Sequence, residues 1–361
     1  MAWSTKNEKM QTHREQLNMY TVDDLKKMAK LFSTSLPTRK ADLMDVILSA
    51  FEGEKKLRAR WKELSDLQQK AVAMTVYSEP AVLDKSRFHA RYSAWPDLGN
   101  TDRWASLKDP SLLLVFLPHG TAARDLIGRL RAFVPELSPM AVPVTEQYPE
   151  CIEISRWDYD IYARSRKKVI EKHLPVQVDT ERPAQHDLQA VLRLIDTRKM
   201  RVGPKTRRLS AKDVKAVEDV LVGGDYYQEV YERGDFKETP GPIKAFAWQM
   251  ILQSGGFVET AGNRLQLTSA GRKALSKETP AQLRTLWKKW LKTTILDEFN
   301  RVDMIKGQTY RGKTRMTSAT GRRKIVTEAL GACPPGAWIS VDDFSRFMVS
   351  NCSLSISPLA Y

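Results

Sequence analysis

The chain has 361 residues, of which 42% are hydrophobic and 28% are charged, and its formal net charge is +15 at pH 7. This length and hydrophobic content suffice for two or three domains with buried cores, which excludes a disordered tail. The sequence contains no run of about 18 uncharged apolar residues and no apolar signal region near the N-terminus, so it predicts a soluble cytoplasmic protein without membrane spans. Cys151, Cys333 and Cys352 lie far apart without CxxC spacing, and neither a zinc site nor a disulfide framework is predicted.

The positive charge is concentrated in three stretches of the C-terminal half. The first basic stretch (residues 197–215) contains eight Lys or Arg against one acid, the second (272–292) seven against one, and the third (301–324) eight against one. These stretches together carry +20, so the rest of the chain sums to about −5. A nearly neutral body with concentrated cationic patches is typical of proteins that bind a polyanion.

The N-terminal part predicts an arm followed by two helices. Residues 1–19 are polar and charged and predict a flexible or helical arm. In residues 20–54, Thr21 can cap a helix whose apolar positions follow helical spacing, and a second helix follows a short break. These elements precede a longer helical pattern that begins at residue 55.

Residues 20–54 contain Tyr20-Thr21-Val22 followed by Leu25-Lys26, then Pro37, then Lys40-Ala41 followed by Leu43. In these features the segment resembles the SAP domain, a helix–extended–helix module. It implies DNA binding, with Lys26, Arg39 and Lys40 as the contacting residues. A helical hairpin that serves packing alone is the alternative.

Residues 55–180 predict a middle α/β region, which is helical with one buried strand. Helical spacing extends from residue 55 to residue 76. In SLLLVFLPHG, six consecutive apolar residues end at Pro118 and Gly120, which predicts a buried strand, and a helix is predicted at residues 121–133. A domain boundary is expected at residues 176–184.

The following part predicts helices and a small sheet. Residues 188–195, 211–221 and 243–253 predict helices, residues 257–260 and 264–267 alternate as strands around a tight turn, and Thr268 caps a closing helix. An amphipathic helix is predicted at residues 281–299. Its inward side is expected to carry Leu283, Leu286, Trp287, Trp290, Leu291, Ile295 and Phe299.

This order of helix, two-stranded wing and helix resembles a winged-helix domain, placed at residues 181–299. LQLTSAGRKAL resembles the wing strand and following turn of many winged helix-turn-helix proteins. From Leu188 onward the chain resembles the multi-winged-helix regions that accompany bacterial repair-type helicases, without the motor. Residues 300–361 then predict a basic loop and the start of a further winged-helix domain. The expected fold is mainly α with small β wings (α+β), comprising the SAP-like hairpin, the middle α/β region and tandem winged helices.

Residues 307–314, GQTYRGKT, satisfy the pattern of a phosphate-binding loop. Lys313 would then contact the outer phosphates and Thr314 a magnesium ion. The flanking sequence provides neither a buried strand before the loop nor a packed helix after it, so a mobile basic loop is favoured and nucleotide binding is the alternative. Since the histidines are scattered and no HExxH or GxSxG is present, no catalytic residue, cofactor or metal site is predicted.

The charge pattern favours contacts to the DNA backbone over base reading. The helix before the wing offers only Lys244, Gln249 and Gln253 in an otherwise apolar sequence, so it is expected to be mostly buried. Tyr310 lies among the cations of the third stretch, whereas the tryptophans of the second stretch are expected to face inward, which makes single-strand stacking a lesser option. The predicted DNA-contacting residues are Lys26, Arg39, Lys40, Arg198, Lys199, Arg201, Lys205, Arg207, Arg208, Asn263, Arg264, Arg272, Lys273, Lys288, Lys289, Arg311, Lys313 and Arg315.

The sequence therefore predicts a non-enzymatic, nucleoid-associated protein that grips duplex DNA through its phosphate backbone with low sequence selectivity. Two other interpretations of the patches are solvated faces and contacts to an acidic protein partner. A further alternative is an interaction subunit that docks a helicase or nuclease in a DNA-processing or phage-defence complex, suggested by the apolar helix before the wing and the unfinished final domain. An enzyme with a phosphate-binding loop is the least favoured.

Overall fold

The chain forms two compact units in a computed structural model. The structure describes residues 10–101, 107–148, 150–160, 165–174, 177–226, 242–298 and 318–351. The first unit comprises residues 1–146 and 333–361, and the second comprises residues 147–332. This division falls earlier than the boundary expected at residues 176–184, and the first unit is assembled from both ends of the chain.

The fold is mainly helical with small antiparallel sheets, as expected for the coarse fold class. The helices are α1 (His13–Leu17), α2 (Val22–Ala29), α3 (Lys40–Ser49), α4 (Gly53–Glu63), α5 (Asp66–Val76), α6 (Lys85–Tyr92), α7 (Leu112–Phe116), α8 (Arg124–Arg131), α9 (Glu181–Thr197), α10 (Ala211–Glu218), α11 (Ile243–Ser254), α12 (Ser269–Ala274), α13 (Thr279–Trp290), α14 (Ala319–Gly331) and α15 (Val341–Asn351). The strands are β1 (Gly99–Thr101), β2 (Leu107–Pro110), β3 (Ile152–Asp160), β4 (Ser165–His173), β5 (Met200–Arg201), β6 (Val258–Ala261) and β7 (Arg264–Leu267). In the ranges that the structure describes, no helix combines the length and apolar character needed to cross a membrane.

The first unit packs its helices around one apolar core. Leu25, Leu43, Phe51 and Phe116 are among its fully or almost fully buried members. Thr21 caps α2 as expected, since its side chain accepts a hydrogen bond from the backbone N–H of Asp24. The two helices predicted within residues 20–54 are confirmed as α2 and α3, and their apolar sides are buried in this larger core.

The predicted buried strand at SLLLVFLPHG is wrong. Residues Leu112–Phe116 form α7, and a 3-10 turn follows at Pro118–Gly120. A short apolar run without periodicity fits a buried helix as well as a buried strand, and here the run lies in a core built from helices. The middle region accordingly has no central strand at this position.

The described end of the predicted arm is folded. Thr12 and Glu15 form a reciprocal capping box at the start of α1, and Leu17 is fully buried in the core of the first unit. Of the two predicted forms of the arm, the helical one is confirmed at His13–Leu17 and the flexible one is wrong there, whereas residues 1–9 lie outside the described part of the chain. Burial of Leu17 supplies apolar stabilisation that the polar composition of this segment concealed.

The C-terminal helix belongs to the first unit. Arg346 of α15 donates through Nε to the carbonyl oxygen of Ala90 on α6 (2.9 Å), and Arg87 donates to that of Ser350 (3.0 Å). The side-chain amide of Asn351 accepts a hydrogen bond from the backbone N–H of Met140 and donates one to the backbone carbonyl oxygen of Met140. The described part of residues 300–361, where the start of a further winged-helix domain is predicted, is divided between the two units: α14 belongs to the second unit and α15 to the first.

The second unit combines helices with a three-stranded sheet of order β5-β7-β6. The predicted helices near residues 188–195, 211–221 and 243–253 are confirmed as α9, α10 and α11, and the two strands around the tight turn as β6 and β7. Thr268 caps α12 through the N–H of Gly271. The unit also contains a two-stranded antiparallel ribbon of β3 and β4, whose register runs from Ile152↔His173 to Asp160↔Ser165.

Candidate nucleic-acid interface

Two arginines oppose each other on the outer face of the three-stranded sheet. In the antiparallel pairing of β5 with β7, Met200 lies opposite Leu265 and Arg201 lies opposite Arg264. Met200 and Leu265 are buried against the core, so the alternation of a strand places Arg201 and Arg264 on the opposite, exposed face. Directly opposed cross-strand residues have Cβ atoms about 5 Å apart, which brings two like charges together.

A tight turn holds the end of β7 beside β5. Gly262 has φ +61°, a left-handed conformation that glycine adopts without a steric penalty, and Ala261 pairs with Arg264 across the turn. The backbone N–H of Val202 donates to the carbonyl oxygen of Asn263 (2.9 Å). Asn263 is therefore fixed by its backbone while its side chain, like that of Arg264, remains exposed.

The basic loop (residues 203–208) extends directly from β5. A bridge between Val202 and Leu209 closes its base, and the N–H of Arg207 donates to the carbonyl oxygen of Gly203 (2.7 Å). Arg207 has φ +56°, which is rare for a residue with a Cβ atom and costs about 1–2 kcal/mol. Lys205 and Arg207 are exposed.

Contacts to α11 fix the basic loop in place. Gln253 donates through Nε2 to the carbonyl oxygen of Arg207 (3.0 Å), and the guanidinium carbon of Arg208 lies 5.4 Å from the ring centroid of Phe246. The Arg208 side chain is thereby held by packing. The loop thus presents Lys205 and Arg207 from a supported backbone.

Some cations of the first basic stretch are paired with carboxylates of this chain, and others are not. Arg198 lies 3.5 Å from Asp213, and Lys215 forms ion pairs with Glu218 and Asp219, whose hydrogen bonds raise the pKa of Lys215. Six other exposed cations of this stretch and of the adjoining strand β7 form no ion pair with a carboxylate among the residues that the structure describes. They are Lys199, Arg201, Lys205, Arg207, Lys212 and Arg264.

The helix α11, which precedes β6 and β7, is mostly buried, as predicted. No residue of α11 is fully exposed, and Gln249 is almost completely buried. One side of α11 packs into the main core, while Phe246 and Met250 pack with Leu296 on another side. The helix consequently lacks the exposed polar row needed to read base edges.

Acidic groups hold the beginning of α11. Asp225 accepts hydrogen bonds from the backbone N–H groups of Ile243 and Ala245, both at 2.9 Å. Lys244 forms an ion pair with the buried Asp187 (2.9 Å) and donates to the carbonyl oxygen of Val222. The positive charge of Lys244 is therefore neutralised by Asp187 and is not available to a ligand.

The second basic stretch is exposed on two helices. Arg272 and Lys273 lie on α12, and Lys288 and Lys289 lie on α13, all with exposed side chains. Within the described ranges, none of these four cations forms an ion pair with an acid. This stretch keeps its charge available for an external anion.

The described end of the third basic stretch is internally neutralised. Arg322 lies 2.6 Å from Asp297, Arg323 lies 2.9 Å from Glu298, and Lys324 is paired with Glu328 at 3.8 Å. These acids lie outside the stretch, so counting residues along the sequence overstated its free charge. Arg311, Lys313 and Arg315, with the whole phosphate-loop pattern at residues 307–314, lie outside the described residues.

The residues predicted from the SAP resemblance lie in the first unit. Arg39 is exposed at the position preceding α3, and Lys26 is half-buried on α2. The ammonium group of Lys40 donates to the carbonyl oxygen of Asn18 (2.7 Å). Of the three, Arg39 has the greatest freedom to contact a ligand.

The first unit contains a cavity of about 420 Å³, but the polar side chains around it are already bonded within the protein. His13 lines it and is 1% exposed, and burial lowers the pKa of His13 to about 4. The other polar side chains are engaged nearby, since Arg129 donates to the carbonyl oxygen of Phe51 and Arg14 pairs with Asp45. In the described residues, no cluster of His, Cys, Asp or Glu is arranged to hold a metal ion.

No family model, curated protein or solved structure matches this chain significantly. The candidate interface is therefore defined by the geometry and charge of the residues themselves.

Proposed function

We propose that this chain is a non-enzymatic DNA-binding protein that holds duplex DNA by its phosphate backbone. The interface comprises the outer face of β5 and β7, the turn that contains Asn263, and the basic loop (residues 203–208). The observation that carries the proposal is the direct opposition of Arg201 and Arg264 on an exposed sheet face. Such a protein is expected to be associated with the nucleoid.

Like charges opposed across a sheet destabilise it unless a counter-ion lies between them. Arginine forms bidentate hydrogen bonds with phosphate, and its fork of donors suits the anionic oxygens of a nucleic-acid backbone. Lys205 and Arg207 on the adjoining loop extend the same cationic surface. A row of phosphates would convert the repulsion between Arg201 and Arg264 into two favourable contacts.

A winged-helix domain in the second unit is part of the proposal. Its support is the order α9, β5, α10, α11, β6, β7, α12, together with the sheet order β5-β7-β6. The β6–β7 turn would be the wing. Because α11 is buried where such domains commonly read the major groove, binding is expected to depend strongly on salt and weakly on sequence.

A SAP-like contribution from residues 20–54 would add a second grip on the same DNA. Its support is the α2–α3 hairpin and the exposed Arg39. Two weak contacts on one chain gain affinity through effective concentration.

The alternative of an interaction subunit loses two of its supports. The apolar helix before the wing is covered by this chain's own residues, including Leu296, and α15 packs against α6. Free cations at Arg201, Arg207 and Arg264 favour a polyanion.

The test is an electrophoretic shift with random-sequence duplex DNA at a low and a roughly fourfold higher salt concentration. Wild type is compared with Arg201→Glu and with Lys85→Glu, an equal charge reversal at an exposed position of α6 in the first unit. We expect Arg201→Glu to weaken binding roughly tenfold or more at low salt and to reduce the salt dependence, whereas Lys85→Glu binds like wild type. Absence of a shift with wild type at low salt, or equal effects of both variants, would contradict the proposal.

A further inference from the structure

An exposed tryptophan lies among uncompensated cations on α13. Trp287 is 44% exposed, although the sequence pattern placed it on the inward side of this helix. The apolar positions of α13 cover a wider arc than one packing face can bury, and Leu286 occupies the core while Trp287 points away from it. Arg284 lies three residues before Trp287 and is its neighbour on the helix surface, Lys288 follows Trp287 directly in the chain, and both cations are exposed. Arg284 and Lys288 are four residues apart and therefore share one side of α13.

The Trp287 ring rests against a second ring that is held firmly. The ring centroids of Trp287 and Trp290 are 5.0 Å apart with an interplanar angle of 36°. Trp290 donates through Nε1 to Glu298 (2.9 Å), and the guanidinium of the buried Arg323 lies 4.9 Å from its ring centroid. One side of Trp287 is thus supported while nearly half of its surface remains in water.

The charges around Trp287 identify the class of ligand. Arg284 and Lys288 repel each other at i and i+4, and neither forms an ion pair with an acid in the described residues. Lys289 and Lys292 add two exposed cations at the same end of the helix. An aromatic ring flanked by cations suits a nucleobase that stacks while its adjoining phosphates pair with the cations.

We propose that Trp287, together with Arg284 and Lys288, binds an unpaired base by stacking. Within a duplex the faces of each base are covered by its neighbours, so apart from the two terminal base pairs only a single-stranded segment offers a free face to Trp287. The protein would therefore favour DNA in which an unpaired segment adjoins a duplex. This inference rests on the proposed DNA binding, and it additionally requires that the DNA contain an unpaired segment.

The experiment measures dissociation constants by fluorescence anisotropy with three labelled probes: a blunt duplex, the same duplex with a tail of about ten thymidines, and the tail alone. The proteins are wild type, Trp287→Ala, Trp287→Phe, and Trp95→Ala as the matched control. Trp95 is 62% exposed in the first unit and stacks on His89. Thermal unfolding of each variant verifies that the fold is intact.

We expect wild type to bind the tailed duplex roughly tenfold more tightly than the blunt duplex. Trp287→Ala should abolish this difference without weakening binding to the blunt duplex, Trp287→Phe should keep most of it, and Trp95→Ala should keep all of it. The preference should persist at higher salt, because stacking depends less on charge than phosphate contacts do.

The outcomes separate this inference from the proposed function. Equal binding of tailed and blunt duplex by wild type, or a tail preference that survives Trp287→Ala, would overturn the stacking proposal while leaving duplex binding intact. Tail binding that depends on Trp287 without any binding of the blunt duplex would overturn the proposed duplex grip and support stacking. If Trp287→Ala changes binding to none of the three probes, the stacking proposal is wrong.

Discussion

Arg323 on α14 lies beneath Trp290 on α13 and donates a hydrogen bond to its carbonyl oxygen (2.8 Å). It also donates to the carbonyl oxygens of Thr293 (2.7 Å) and Leu296 (2.5 Å). These carbonyls lie at and beyond the end of α13, where helix geometry leaves acceptors without partners. A single buried guanidinium therefore terminates one helix and attaches another to it.

Arg323→Ala is expected to destabilise the second unit by about 3 kcal/mol, because it leaves several buried acceptors unpaired. The measurement is urea unfolding of the full chain, followed by tryptophan fluorescence. Lys324→Ala removes a neighbouring exposed cation with a long ion pair and should change the free energy of unfolding by less than about 0.5 kcal/mol. Equal effects of the two substitutions would show that Arg323 has no special structural role.

Arg207→Gly is expected to separate binding from stability. The glycine relieves the left-handed conformation at φ +56° while adding freedom to the unfolded chain, so the free energy of unfolding should stay within about 1 kcal/mol of wild type. Loss of the guanidinium should weaken duplex binding by several-fold and lower the salt dependence. Thermal unfolding and the electrophoretic shift measure the two effects, and unchanged binding would remove the basic loop from the interface.

Gly271→Ala is expected to destabilise the packing of α12 by about 1–3 kcal/mol. A Cβ atom at this position would overlap the backbone carbonyl of Phe257, which cannot move without displacing the start of β6. Gly331→Ala is the matched control, because the added methyl group meets open space at the end of α14 and should stabilise slightly. Thermal unfolding of both variants provides the comparison, and similar midpoints would contradict the close approach at Gly271.

Mild acid is expected to weaken the first unit through His13. Burial lowers the pKa of His13 to about 4, an effect that the hydrogen bond to the carbonyl oxygen of Val115 and the charge of Asp125 oppose and that Arg129 reinforces. Since the unfolded chain takes up a proton near pH 6.5 and the folded chain does so only near pH 4, stability falls as the pH decreases through this window. The expected loss between pH 7 and pH 5 is about 2 kcal/mol.

His13→Gln provides the control for this pH dependence. Its amide can still donate to the Val115 carbonyl oxygen, but it does not titrate. Thermal unfolding near pH 7 and near pH 5 should show a smaller decrease for His13→Gln than for wild type. An identical decrease would mean that other groups dominate the acid sensitivity.

The local elements could be predicted from sequence, whereas the features that depend on remote partners could not. Thr21 and Thr268 mark helix starts because capping is a short-range interaction. The opposition of Arg201 and Arg264 was hidden because β5 has only two residues, and its register is set by a strand more than sixty residues away. Such a short segment carries no alternation that would identify it as a strand.

Two further differences have the same kind of cause. The outward position of Trp287 follows from which apolar residues find space against the core, and helical spacing alone does not decide this. The third basic stretch appeared strongly charged because Asp297 and Glu298, which pair with Arg322 and Arg323, precede it in the sequence. Charge density along a chain therefore overstates the charge available at a surface.

The packing of α15 on α6 has a consequence for how the protein is made. Synthesis proceeds from the N-terminus, so the residues that contact Arg87 and Ala90 emerge only after the whole second unit has left the ribosome. The first unit therefore remains incomplete while the nearly two hundred residues of the second unit are translated. Docking of α15 therefore completes the first unit after synthesis of the second, which gives the second unit time to fold first.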